Sequence, residues 1–166
     1  MYRTKGAAKA FKYRQPPTPP LGSANRAEPQ NDVEVLDKVV QGKRASDIEE
    51  RFARGLDKTA SVDGYDFIVH EITGANLPGE AQLDFLVYSG GEQFAVQIDG
   101  QFAHKSAAQR ESDRIQDARL SQAIKDQVSA PFPTAGVPAN GLIARVPGLL
   151  LETQAAADQL VSEMFP

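Results

Sequence analysis

From Ser46 onward, hydrophobic residues follow two alternating periods. Ile48, Phe52 and Leu56 recur at four-residue spacing and mark the buried stripe of an amphipathic helix. Ser46 stands where its hydroxyl can cap that helix, and Asp47, Glu49 and Glu50 make the first turn acidic, as the helix dipole favours. Gly55 and Gly64 suggest where the helix weakens and ends. The pattern then shortens. Tyr65–Ile72, Leu83–Tyr88 and Phe94–Asp99 are rich in β-formers or alternate, and Ser89-Gly90-Gly91-Glu92 suits a hairpin turn between the last two. Ala107 to Lys125 is helical again. Asp126–Asn140, with Pro131, Pro133, Gly136 and Pro138, reads as a long loop. Leu142–Val146 forms a fourth strand, stopped by Pro147-Gly148. Ala157, Leu160, Val161 and Met164 fall at i, i+3, i+4 and i+7 of a closing helix. Helix, three strands, helix, strand, helix predicts an α/β fold with a small mixed central β-sheet flanked by helices.

The first 45 residues lack either period. Gln15-Pro16-Pro17-Thr18-Pro19-Pro20 enforces extended backbone, a polar stretch continues to about Asn31, and Val33–Val40 is expected as a short helix. Residues 1–45 therefore read as a flexible, Pro-rich N-terminal arm, and 46–166 as the folded domain. Composition supports a packed core, at 41% hydrophobic and 24% charged residues. With no cysteine, a disulfide scaffold, a zinc ribbon, a cysteine nucleophile and a dithiol centre are excluded. No apolar run approaches the roughly 20 residues that span a bilayer, and no signal-peptide core is present, so a soluble, cytoplasmic protein is expected.

Charge divides the chain further. The net charge is -4, yet residues 1–27 carry +6, through Arg3, Lys5, Lys9, Lys12, Arg14 and Arg26, and the remainder carries -10. Such an arm can hold a polyanion, and Tyr2, Phe11 and Tyr13 among its charges could stack on bases. It can equally serve as a tether to a partner protein.

Polar residues on strands with buried faces are the candidates for chemistry. Asp84 lies inside Leu83-Asp84-Phe85-Leu86-Val87, where a lone carboxylate is costly. Gln97 and Asp99, two apart on the next strand, share a face that a hairpin would extend to Asp84. Hard oxygen donors of this kind suit Mg²⁺ or Mn²⁺. His104 and Lys105 follow on the turn leaving that strand, where they could accept a proton from water and stabilise charge on a phosphate. On the next helix Asp113 and Asp117 run beside Arg110 and Arg114. They form either a solvated, ion-paired face or an inward-turned support for His104 or Lys105.

Leu83-Asp84-Phe85-Leu86-Val87, Val96-Gln97-Ile98-Asp99-Gly100 with His104, and Asp113-Arg114 with Asp117 together resemble the PD-(D/E)XK nuclease superfamily. The likeness is nearest to its very-short-patch-repair endonuclease branch and spans about Ser46 to Phe165. It implies a restriction-endonuclease-like fold and Mg²⁺-dependent hydrolysis of DNA. By that resemblance Asp84 is the metal-binding aspartate, Glu49 the acid of the first helix and His104 the base. Ile98 offers a carbonyl to the metal, and Asp99 and Gly100 are the Asp-Gly pair. Two departures stand out. Gln97 replaces the usual glutamate, and Asp99 stands where the usual lysine would be, leaving Lys105 as the substitute.

Two functions follow from these residues. One is a metal-dependent DNA endonuclease, with Asp84, Gln97 and Asp99 toward the metal, and Asp84, His104, Lys105 and Glu49 in catalysis. Arg3, Lys5, Lys9, Lys12 and Arg14 would then hold the nucleic acid. The other is an inactive nuclease-fold module that binds nucleic acid or serves a larger assembly, for which a phage complex, and hence a virion-associated protein, is one setting.

Overall fold

The computed structural model describes residues 34–69, 82–100 and 104–166. The arm residues Arg3, Lys5, Lys9, Lys12 and Arg14 lie outside the described residues, as do His70 and the end of the strand expected to reach Ile72. The molecule is of mixed α/β class. A two-stranded hairpin, β1 (Val39–Val40) with β2 (Lys43–Arg44), precedes helix α1 (Asp47–Lys58). Strands β3 (Gly64–Val69), β4 (Leu83–Ser89) and β5 (Glu92–Asp99) follow, then helix α2 (Ala107–Ile124). Strands β6 (Ala139–Asn140) and β7 (Ile143–Pro147), a 3-10 turn (Gly148–Leu151) and helix α3 (Gln154–Met164) complete the chain.

The main sheet has the order β3-β4-β5-β7-β6. All its neighbours are antiparallel except β5 and β7, which run parallel because α2 carries the chain back across the sheet. Two positive-φ glycines, Gly90 and Gly91, make the tight β4–β5 turn that glycine adopts without steric cost. Both long N-termini are closed by capping boxes. Ser46 accepts the Glu49 N–H while Glu49 accepts the Ser46 N–H, and Ser106 and Gln109 repeat the arrangement at α2.

Helices α1 and α3 pack together on one face of the sheet. Gly55 makes their close approach feasible, since a Cβ there would sit 2.9 Å from Val161 Cγ2. The core of this face is mostly apolar, with Glu50 and Arg54 of α1 as a buried ion pair. Phe85 lies at its centre with ring centroids 4.9 Å from Phe52, 4.9 Å from Phe67 and 5.9 Å from Tyr65. A second cluster, including Leu86, Ala95, Leu120, Ile124 and Ile143, lies beneath the C-terminal half of α2.

Of the helix expected at Val33–Val40, the described residues 34–40 are not helical. Glu50 accepts the backbone N–H groups of Asp37 and Lys38, and the buried Arg54 donates both to Glu50 and to the Val35 carbonyl. These long-range partners take the backbone bonds a helix would have used, and positive φ at Lys38, Gln41 and Gly42 turns the chain into a hairpin. Val40 and Ala45, assigned to the arm from the sequence, are buried in the main core.

Candidate functional site: a charged corner beneath helix α2

The β4–β5 ladder runs from Ser89–Glu92 to Phe85–Val96. At its end, side chains take over the pairing. Gln97 Oε1 accepts the Asp84 N–H at 3.0 Å, and Asp84 Oδ2 accepts the Ile98 N–H at 2.8 Å. The Gln97 amide nitrogen donates to the Gln82 carbonyl. Asp84 and Gln97 thus come together as expected, and each satisfies backbone that the end of the ladder leaves open.

Asp84 is the perturbed acid of the corner. Its pKa is pushed up to about 6 from 3.8, chiefly by burial, and the Ile98 N–H opposes the shift. The negative charges of Glu49 and Asp99 raise it further, and Arg145 pulls it down. Glu49 is therefore near enough to act on Asp84, although its Oε1 is bonded to the Ser46 N–H and hydroxyl.

Asp99 is buried and engaged by cations. Lys105 Nζ lies 2.8 Å from its Oδ2 and also bonds Asp113. Arg145 NH1 approaches Asp99 at 3.5 Å and Asp113 at 3.7 Å. The same guanidinium grips Asp117 in two-pronged fashion, Nε to Oδ2 at 2.6 Å and NH2 to Oδ1 at 3.0 Å. Asn140 donates to Asp117 Oδ2 at 2.9 Å. Burial alone would lower the pKa values of Lys105 and Arg145. Their carboxylate partners, Asp113 with Asp99 and Asp117 with Asp113 and Asp99, outweigh it and raise both. Both cations therefore stay charged at neutral pH.

Of the two accounts of α2, the inward one describes Asp113 and Asp117. Arg110 and Arg114 remain exposed on the same helix. Asp113 supports Lys105, while His104 is exposed at the foot of α2. Sequence reasoning missed Arg145. It sits between Ala144 and Val146 on a buried strand and stands opposite Gln97 in the parallel register. The criterion that drew attention to Asp84, a charge inside an apolar strand, applies to Arg145 equally.

Most donors of the corner are engaged within the protein. Gln97 is committed to backbone through both amide atoms, Asp99 is paired with Lys105 and Arg145, which also serve Asp113 and Asp117, and Asp84 stands within the influence of Glu49. Among the described residues, no three histidine, aspartate or glutamate side chains converge as a metal site. Among those residues, too, no helix is long and apolar enough to cross a membrane.

Comparison with known proteins finds no matching family model, no matching curated protein and no matching solved structure.

Proposed function

We propose that this chain is a nuclease-fold module that binds nucleic acid and does not hydrolyse it. The observation that carries the proposal is the closure of Asp99 by Lys105 and Arg145, beside a Gln97 that is neutral and bonded to backbone. Two protein cations stand where charge compensation by a metal would be needed. A buried carboxylate so paired holds architecture together and has little left to offer an incoming ion. The strand and helix order, with a parallel pair joined through α2, is consistent with the restriction-endonuclease-like fold implied by the sequence resemblance. The +6 arm would supply contacts to the phosphate backbone that weaken as salt rises.

One observation favours the other reading, a Mg²⁺-dependent DNA endonuclease. Asp84 is held at a raised pKa chiefly by burial and in lesser part by the charge of Glu49, and a bound cation would favour its ionised form.

A paired assay distinguishes the two. Branched, nicked, single-stranded and duplex DNA are incubated with the protein in Mg²⁺ or Mn²⁺, and binding is followed by fluorescence anisotropy over a salt series. The expected result is no cleavage, with salt-sensitive binding that weakens when Arg3, Lys5, Lys9, Lys12 and Arg14 are all replaced by Gln. Cleavage that disappears in Asp84→Ala would establish the endonuclease instead.

A further inference from the structure

The main sheet ends on two unlike edges. Among the described residues, β6 closes one side with only two residues, while β3 presents six, Gly64–Val69, with a strand on one side alone. An edge carrying Tyr65, Phe67, Ile68 and Val69, with one charge and no proline, is the kind that pairs with another chain. Here side chains of the β1–β2 hairpin occupy it. Gln41 Nε2 donates to the Tyr65 carbonyl at 2.6 Å, and its Oε1 accepts the Phe67 N–H at 3.1 Å. Lys43 Nζ donates to the carbonyls of Phe67 at 3.3 Å and Ile68 at 3.1 Å. A primary amide offers both a donor and an acceptor, as a peptide group does, so Gln41 meets β3 as one link of a neighbouring strand would.

The backbone is bent to reach this contact. Pairing of Val40 with Lys43 leaves Gln41 and Gly42 as a two-residue turn, and both take positive φ, 49° and 79°. Glycine does so freely. Glutamine does not, and asparagine is the residue that such a turn favours before glycine. Ile68, at the far end of the contact, is a β-branched residue at φ 53°. Conformations of this sort persist where the surrounding structure holds them. The hairpin is anchored by the buried Val40, by the Ala45 N–H on the Lys38 carbonyl, and by Glu50, which accepts the Asp37 and Lys38 N–H groups. We infer that the hairpin is an edge guard, whose Gln41 and Lys43 side chains keep β3 from pairing with the β3 of a second copy of this chain. Identical edges pair antiparallel about a twofold axis, so the outward groups of Tyr65 and Phe67 on one copy would meet the same groups on the other. That partner is present at the chain's own concentration. The guard is independent of what the protein binds.

The test uses the full chain with Gln41→Asn, which keeps a favoured turn and shortens the amide by one methylene, and with Gln41→Asn plus Lys43→Met, which removes both contacts. Amide exchange is followed residue by residue, and sedimentation velocity gives the particle size, each over a concentration series. In dilute solution the Phe67 amide should exchange about tenfold faster in Gln41→Asn than in the native chain. Val96, paired on both sides within the sheet, should keep its protection and report an intact fold. As concentration rises, the double variant should sediment as a dimer while Phe67 regains protection, and the native chain should keep one size throughout. Gln41→Asn alone is carried through the same series, which preserves the test if the double variant loses Val96 protection. Unchanged Phe67 exchange in Gln41→Asn would overturn the contact. Variants that stay at the size of one chain, with Phe67 fast at every concentration, would overturn the guard. So would a native chain that dimerises with rising protection at Phe67.

Discussion

The two faces of the central sheet use their buried area differently. Beneath α1 and α3 the core is mostly aromatic and aliphatic, with Phe52, Tyr65, Phe67 and Phe85 packed edge-on or tilted at its centre, and α1 adds one buried ion pair, Glu50 with Arg54. Beneath α2 the apolar cluster covers only one end, and the other is given over to Asp84, Asp99, Asp113, Asp117, Lys105 and Arg145. Burying apolar surface stabilises without needing a partner, whereas a buried charge is tolerable only when matched. The first face therefore specifies that the chain folds. The second is a weak source of net stability, which makes it the place to look for function.

Breaking the apolar face should have the largest effect. Phe85→Ala, at a fully buried position, is expected to lower stability by about 4 kcal/mol, read from urea unfolding. Next comes the corner. Arg145→Ala leaves Asp117, which is 1% exposed, as an unmatched buried charge and should cost about 3 kcal/mol. Replacing both partners, as Arg145→Met with Asp117→Leu, should recover most of that loss. If the double variant is as unstable as the single, the corner contributes directly to folding and the contrast between the faces fails.

Asp84 gives a pH-dependent version of the comparison. Its folded pKa lies above its ordinary value, at about 6 against 3.8, so the folded state binds the proton more tightly than the unfolded state. Stability should therefore fall as pH rises between those values and stay reduced above them. Asp84→Asn keeps an acceptor for the Ile98 N–H and removes the charge. It should gain roughly 1–2 kcal/mol at neutral pH and nothing below the lower value, seen in unfolding curves at both conditions. Ser46→Ala should have the smallest effect, about 1 kcal/mol from loss of the α1 cap, with no change in the charged corner.

Much of the scaffold was legible because local chemistry decides it. Ser46 with Glu49 announces the start of α1, Gly90-Gly91 announces the turn, and the period of Ala157, Leu160, Val161 and Met164 announces α3, all as found. The β1–β2 hairpin was not legible, since Glu50 and Arg54 impose it from 12 to 19 residues away. Within the corner, strand alternation was enough to bring Asp84 beside Gln97. It could not reveal that Lys105 reaches back to Asp99, nor that Arg145 reaches Asp117 across 28 residues. Those contacts depend on how α2 crosses the sheet, which periodicity does not encode.

The most direct test of the closed corner is calorimetric titration of the full chain with Mn²⁺ at neutral pH, alongside Asp84→Asn. A corner whose acids are held by Lys105 and Arg145 predicts no saturable heat from either protein. Saturable binding that is present in the native chain and absent from Asp84→Asn would show that the acids still gather a metal, and would contradict the account.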